Sequence, residues 1–441
     1  MHSVPASDRF LRIHTLLVFM LMALVFAGPV FDWVWGVQAV LGRINNLSMV
    51  PAALYILLLF AVPRGMREGQ ERKLLLTIAI LMLYAIVISL ARYADWIDTF
   101  GGLAALMGSI SAGFGAYILG KSGKGLHRRL VVMMIATLPA LAVPIAMIAL
   151  DPEAYEHFWL NVYGYSNIRA FGYFAAATTV LITGLAASSF ESGRIVRLLC
   201  HFTALILSWS FLLWSGSRAG MVASVVAIII GLAFTRGAKI VVLPFTLLSG
   251  ALGAALSTLY VTPDRTFGLL NRVQDTAASL AEGGVTKASS NRIEMWQWAW
   301  GKILETPFLG RGYLPMAGMR DEGFNFYHTH NIVIEYLLSF GLIAGSAMLV
   351  LGAWVWFRAI IAGRRIGTPI AQALMMLVTL LPIYAMFSAT LFFPYHLMVF
   401  MLGLGALLGW DAWNQRPEEA EEVPFKPKAE WMFEDLEIAG R

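Results

Sequence analysis

The most reactive group of side chains in the sequence is the run His328-Thr329-His330-Asn331, which leads into an apolar segment containing Glu335. Histidine titrates near neutral pH, so either ring is suited to accept a proton from a hydroxyl group. Histidines two residues apart also occur in metal sites, but no third ligand has a suitable spacing here. The pattern predicts a proton acceptor without a metal, either His330 or His328, with a purely structural cluster as the alternative.

Arg218 lies in a polar break between two apolar runs, within Ser215-Gly-Ser-Arg218-Ala-Gly220. Serine and glycine allow the chain to reverse tightly, and the following helix presents free backbone N–H groups and the positive end of its dipole. Helix starts of this kind bind phosphate in many proteins. The segment predicts an anion-binding turn supported by Ser217. The alternative is a capped turn whose arginine reaches lipid headgroups.

Arg169 lies where a polar segment enters another apolar run. A charge at membrane depth costs several kcal/mol unless it faces a cavity or a partner. Arg169 is therefore either a second anion ligand or an interfacial arginine that contacts headgroups. The same cost applies to Glu335, which is expected to meet an arginine or a histidine.

Arg292 begins a predicted helix that ends before Pro307. Residues four and eight positions further along share its helical face, and these are Trp296 and Trp300; Trp298 faces away. Tryptophans on a helix beside a bilayer indicate an interfacial anchor, and a platform for stacking a sugar is the alternative.

The elements that position these residues are long apolar runs. The chain has 441 residues, of which 59% are hydrophobic and only 13% are charged, and a soluble protein of this size would carry more charge. A hydrocarbon core of about 30 Å requires roughly twenty apolar residues per helix. The sequence predicts an all-α integral membrane protein with about twelve transmembrane helices, at approximately 13–31, 47–63, 74–91, 101–119, 131–149, 169–190, 199–214, 219–234, 240–260, 332–353, 369–388 and 396–411.

Lysine and arginine are concentrated in every second short loop, and this alternation predicts the orientation of the chain. The positive-inside rule places the basic loops and both termini in the cytoplasm. The large loop 261–330, between the ninth and tenth spans, is then periplasmic or extracellular. The transmembrane domain covers 1–414, and the acidic, proline-containing segment 415–441 is predicted to be a disordered cytoplasmic tail. The net charge of +5 thus reflects topology and does not indicate a nucleic-acid partner.

Three motifs, taken in order, resemble the O-antigen ligase and polymerase superfamily of bacterial surface-polysaccharide assembly. The first is the Ser-Gly-Ser-Arg218-Ala-Gly turn at the start of a span. The second is Asn291-Arg292 with Trp296, followed by Pro307-Phe-Leu-Gly310-Arg-Gly312. The third runs from His328 to Gly341 and includes Glu335. The likeness is specific over roughly 205–345 and topological elsewhere.

This resemblance implies a GT-C-type glycosyltransferase in the bacterial inner membrane. Such an enzyme transfers a glycan from undecaprenyl pyrophosphate to an acceptor hydroxyl on the periplasmic side. The acceptor is lipid A–core in ligases and another repeat unit in polymerases, and the transfer is expected to be inverting, without metal or cofactor. The residues matched to functional positions are diphosphate-binding Arg218, Arg292 and, through a looser motif, Arg169; the base His330 or His328; and the supporting Ser217, Asn331 and Glu335.

Other functions explain less of the sequence. A polymerase differs from a ligase in its acceptor, which motifs do not report, and the His-x-His-Asn form favours a ligase. A flippase for lipid-linked oligosaccharides is expected to show paired broken helices and charges near the membrane midplane, whereas the polar residues here lie at span ends and in one loop. An inactive scaffold would not require arginines and histidines on one side of the membrane.

Overall fold

The structure is a computed structural model that describes residues 12–13, 16, 69–92, 96–121, 123, 131, 135, 137–150, 168–191, 195–234, 239–262, 267–288, 291–313, 328–388 and 394–415. Apart from isolated residues, the predicted spans 13–31 and 47–63 and the acidic tail 415–441 lie outside the described residues. The count of twelve spans and the disordered tail therefore stay predictions.

Every regular element in the described part of the chain is a helix. The helices are α1 (Gly69–Arg92), α2 (Trp96–Lys121), α3 (Thr137–Leu150), α4 (Ile168–Glu191), α5 (Ile195–Trp214), α6 (Arg218–Phe234), α7 (Lys239–Ser257), α8 (Leu269–Ala288), α9 (Arg292–Glu305), α10 (Ile332–Ile366), α11 (Pro369–Ser388) and α12 (Pro394–Asn414). Ten of them coincide with ten predicted spans, and the other two, α8 and α9, lie in the predicted large loop.

Seven of the described helices, α1, α2, α4, α5, α10, α11 and α12, are long and apolar enough to cross a membrane. The helices α3, α6 and α7 contain shorter apolar segments. The prediction of an all-α integral membrane protein is confirmed. The protein is therefore a multi-pass membrane protein.

Helix α4 is buried along nearly its whole length. It packs against α3, α5, α6, α7 and α11, and its Phe171, Tyr173 and Phe174 are almost completely inaccessible. Because α4 is enclosed in this way, its first turn provides a rigid support for Arg169.

Several helix ends meet at one end of the bundle. Helices α4, α6 and α10 begin there, and α5 and α11 end there, at Trp214 and Ser388. The opposite helix ends carry basic residues, among them Lys121, Arg364 and Arg365. The candidate site residues predicted from the sequence thus lie at the end of the bundle opposite the basic helix ends. The alternation of basic loops predicts this arrangement.

Candidate functional site

The turn between α5 and α6 is joined to two other helices through Tyr384 of α11. The Tyr384 hydroxyl donates a hydrogen bond to the carbonyl oxygen of Arg169 at 2.8 Å, and Ser217 Oγ lies 3.0 Å from the same hydroxyl. Since the tyrosine proton is directed at Arg169, Ser217 donates to Tyr384. Ser217 Oγ also accepts the Gly220 N–H at 3.2 Å and so caps α6. Sequence reasoning missed Tyr384, because nothing local distinguishes it from other tyrosines in apolar runs.

Arg218 and Arg292 are held by different elements of the large loop and the bundle. Arg218 Nη1 donates to Thr276 Oγ1 of α8 at 3.1 Å. Arg292 Nη1 donates to the carbonyl oxygen of Phe387 at 2.6 Å, where the C-terminal end of α11 carries partial negative charge. Burial, followed by the charges of Arg169 and Arg218, lowers the pKa of Arg292 to about 10, so this side chain stays protonated at neutral pH.

Asn331 fixes the start of α10 against the end of α11. Its Oδ1 accepts the N–H groups of Val333 and Ile334 at 2.9 and 3.2 Å, which caps the helix. Its Nδ2 donates to the carbonyl oxygen of Met386 at 3.2 Å. The asparagine that follows the two histidines therefore determines where their segment lies relative to α11.

Glu335 and Trp296 hold the peptide groups between the two histidines. The Glu335 carboxylate accepts the Thr329 N–H at 2.6 Å, and Trp296 Nε1 donates to the Thr329 carbonyl oxygen at 2.8 Å. The expectation that Glu335 meets an arginine or a histidine is wrong. The carboxylate lies one turn inside α10 and reaches back to Thr329, two residues before the cap Asn331.

The tryptophans of α9 differ in their surroundings. Trp296 is half-buried against the histidine segment, whereas Trp300 on the same predicted face has 48% of its surface exposed. The ammonium of Lys302 lies 5.8 Å from the ring centre of Trp298. Trp296 therefore positions the histidine segment, a role that neither the anchor nor the sugar platform anticipated.

His330 contacts Arg169 directly. Arg169 Nη1 lies 3.2 Å from both Nδ1 and Nε2 of the ring. His330 has a positive φ of 55°, which is uncommon outside glycine and asparagine, and its ring packs edge-to-face on His328 with 4.1 Å between centroids. Because a guanidinium only donates, the ring nitrogen that accepts from it is unprotonated.

Both histidines are neutral at physiological pH. Burial, followed by the charges of Arg169 and Arg292, lowers the pKa of His328 to about 3. Burial also lowers the pKa of His330 far below its ordinary value, with further contributions from His328, Arg169 and Arg292. Neutral imidazole is a metal ligand as well as a base, but no group of three or more metal-ligating side chains occurs among the described residues.

A fourth arginine, Arg272, lies near the three that the sequence identified. It interacts electrostatically with Arg169 and contributes, after Arg169 and Arg218, to the lowered pKa of Arg292. Nothing in the sequence marks this position, since Arg272 and Asp275 have the spacing of an ordinary local ion pair. The predicted elements also did not include α8.

The chain was compared with models of known protein families. Residues 203–349 match a family model described as O-antigen ligase. This segment is similar to an O-antigen ligase domain. The resemblance to the O-antigen ligase and polymerase superfamily is thereby confirmed, and it indicates glycosyl transfer with lipid-linked glycan substrates in a membrane. A search of curated proteins found no match.

The matched segment contains most of the site residues but not all of them. Arg218, Arg292 and the two histidines lie inside the matched segment, whereas Arg169 and Tyr384 lie outside it. The helices α4 and α11 nevertheless place both residues in hydrogen-bond contact with domain residues, His330 and Ser217. The cluster is therefore formed only when the matched segment packs against the rest of the bundle.

The glycine motif, Pro307-Phe-Leu-Gly310-Arg-Gly312, has a structural role. Gly341 interrupts α10 with φ 77° and ψ 174°, a conformation that is essentially restricted to glycine. The backbone of residues 307–312 crosses this kink, with Arg311 and Gly312 N–H groups donating to carbonyl oxygens of α10 at 2.9 and 2.8 Å. A Cβ on Gly310 would lie 2.4 Å from the Gly341 nitrogen. The motif packs the end of α9 against α10. This contact fixes the position of Arg292 relative to the histidines.

Proposed function

We propose that the protein transfers a glycan from undecaprenyl pyrophosphate to an acceptor hydroxyl at the periplasmic face, and that the acceptor is lipid A–core. The observation that carries this proposal is the contact of His330, a neutral base, with Arg169, beside Arg218 and Arg292. A base next to several cations suits a reaction in which a hydroxyl loses a proton and a diphosphate leaves. The O-antigen ligase domain supports the same reaction class.

The arginines act on the donor diphosphate. The glycosidic oxygen gains negative charge as its bond to the anomeric carbon breaks, so cations placed beforehand stabilise the transition state more than the ground state. A guanidinium group remains charged and can donate two parallel hydrogen bonds to a pair of phosphate oxygens. A lysine ammonium matches this paired geometry less well. Arg218 lies at the start of α6, where the positive end of the helix dipole also favours an anion.

His330 acts on the acceptor. As the acceptor oxygen attacks the anomeric carbon, its proton passes to a ring nitrogen of His330, and the carbon–oxygen bond to the diphosphate breaks. The bonding electrons leave with undecaprenyl pyrophosphate. Attack from the side opposite the leaving group inverts the anomeric centre. His328, whose ring packs on His330, holds the catalytic ring and is the second candidate for the base.

Donor binding makes the base stronger. Arg169 and Arg292 both lower the pKa of His330. A bound diphosphate places negative charge against those arginines, and negative charge near a histidine favours its protonated form. His330 therefore becomes a competent base when the donor is in place, which couples proton transfer to glycan transfer.

The test is transfer in vitro by the purified protein, with an undecaprenyl-pyrophosphate oligosaccharide and lipid A–core in the presence of EDTA. We expect product with lipid A–core and a loss of about 100-fold or more in the His330→Ala variant, since general bases contribute 10²–10⁴-fold. His201→Ala is the matched control, because His201 lies near the other end of α5 and bonds to Ser189. This control should transfer at the unchanged rate.

The acceptor dependence separates the related functions. Product that appears only with lipid A–core supports ligation, and longer glycans formed without core would show a polymerase. No product under any condition, with donor moved between the leaflets of vesicles instead, would contradict glycosyl transfer and favour a flippase. Equal losses in His330→Ala and His201→Ala would assign the effect to folding and remove the base from the mechanism.

A further inference from the structure

Helix α8 forms part of the wall of the arginine cluster. Its start is fixed to the end of α5, where the Gly268 N–H donates to the Trp214 carbonyl oxygen at 2.7 Å and the rings of Phe267 and Trp214 pack with 5.1 Å between centroids. Trp214 immediately precedes the anion-binding turn that ends at Arg218. The first turns of α8 therefore have a defined place beside that turn.

Arg272 and Thr276 lie one helical turn apart on the same face of α8. Thr276 Oγ1 donates to the Arg272 carbonyl oxygen at 2.6 Å and accepts from Arg218 Nη1 at 3.1 Å. The face of α8 that carries Arg272 is consequently the face that contacts Arg218. The electrostatic interactions of Arg272 with Arg169 and Arg292 agree with this orientation.

Asp275 is a weak partner for Arg272. Its carboxylate lies 3.5 Å from Arg272 Nη1, and the aspartate side chain has 48% of its surface exposed. Exposed ion pairs three residues apart on a helix contribute little to stability, because water and salt screen them. A diphosphate offers more negative charge and more acceptor oxygens than one carboxylate does, so it can displace Asp275.

We propose that Arg272 is a further donor-binding residue. Its side chain breaks the ion pair with Asp275 and binds the donor diphosphate together with Arg218. This inference rests on the proposed function and adds α8 to the diphosphate site. Asp275 then competes with both donor and product for Arg272. The competition matters at the end of the reaction, because the leaving pyrophosphate carries more negative charge than the donor and binds the arginines more tightly.

The test compares Arg272→Ala, Asp275→Asn and the unchanged protein in calorimetric titrations with inorganic pyrophosphate. We expect Arg272→Ala to weaken binding about tenfold, as loss of a hydrogen bond to a charged group does. Asp275→Asn is expected to strengthen binding, because the competing carboxylate is gone. Improved binding has the opposite sign to a folding defect. Arg365→Ala is the matched control, since Arg365 also pairs with a carboxylate, that of Asp411, but lies at the basic end of the bundle away from the cluster.

Donor titrations of the transfer reaction give the second readout. The KM for the lipid-linked donor should rise in Arg272→Ala with a smaller change in kcat, and Asp275→Asn should show stronger inhibition by pyrophosphate. Pyrophosphate binding and donor KM unchanged in Arg272→Ala, or weakened binding in Asp275→Asn, would overturn the inference while the proposed function stands. Absence of both pyrophosphate binding and glycan transfer in the unchanged protein would instead overturn the proposed function.

Discussion

At the scale of single residues, the proposed chemistry depends on an imidazole that stays neutral beside a guanidinium. His330 and His328 are buried, and their positive neighbours oppose protonation further. An exposed histidine would be partly protonated at neutral pH, and its protonated fraction could not accept a proton. The low pKa has a cost in basicity, which the negative charge of a bound donor offsets.

The pH dependence of kcat/KM tests this arrangement, since it reports the free enzyme. A base with an ordinary histidine pKa would keep only about a tenth of its neutral form at pH 5.5. With the pKa lowered by burial and nearby arginines, we expect kcat/KM to change less than about twofold between pH 7.5 and pH 5.5. A tenfold fall centred near pH 6.5 would contradict the lowered pKa.

The same two histidines should make the free energy of unfolding depend on pH. The unfolded chain takes up protons on these histidines below about pH 6.5, whereas His328 in the folded protein does so only near its pKa of about 3. Stability is therefore expected to decrease as pH falls through this interval. Samples returned from pH 5.5 to pH 7.5 must regain full activity for the kinetic comparison to hold.

At the scale of elements, the crossing of the glycine motif over the kink in α10 relates α9 to the histidine segment. A Cβ on Gly341 would lie 2.2 Å from the Phe308 carbonyl oxygen, and the backbone conformation there excludes other residues. We expect Gly341→Ala to destabilise the protein by about 2 kcal/mol or more, because the backbone is strained and the neighbouring strand of chain must move. Thermal unfolding in detergent measures this loss.

Gly352→Ala is the control for that substitution. Gly352 lies in the same helix, and nothing lies within 4 Å of a Cβ added to it. Alanine should be neutral or stabilising there by up to about 1 kcal/mol, since glycine is a poor helix former. Equal unfolding temperatures for the two variants would show that the kink does not require glycine.

At the scale of the whole molecule, the site lies at one end of the bundle and the basic helix ends lie at the other. From the positive-inside rule we expect the site to face the periplasm. Two single-cysteine variants test this in a Cys200→Ser background: Glu294→Cys on α9 and Asn414→Cys at the end of α12, both at exposed positions. A membrane-impermeant maleimide added to spheroplasts should label Glu294→Cys alone.

Lysed cells provide the control for accessibility, because both cysteines should then react. Labelling of Asn414→Cys alone in intact spheroplasts would reverse the orientation and move the site to the cytoplasm. That result would also remove lipid A–core as the acceptor, since the proposed transfer takes place on the periplasmic side.

The apolar helices and the motif residues could both be predicted from local features of the amino-acid sequence. Apolar runs of about twenty residues have few alternatives to a transmembrane helix, because every backbone group must be hydrogen-bonded within the bilayer. Arg218, Arg292 and His330 were identifiable because charged and titratable residues are conspicuous between such runs. These features depend on local composition and on the order of the motifs, and both are visible in the sequence.

The side-chain contacts between distant parts of the chain became visible only in the folded structure. Tyr384, Thr276 and Arg272 are distant in sequence from the groups they serve, and no local pattern marks them. Glu335 was expected to pair with a charge, but it accepts a backbone N–H because α10 starts at Asn331 and directs the carboxylate back along the chain. Contacts between helix ends follow from packing of the whole bundle, which single-sequence periodicity does not encode.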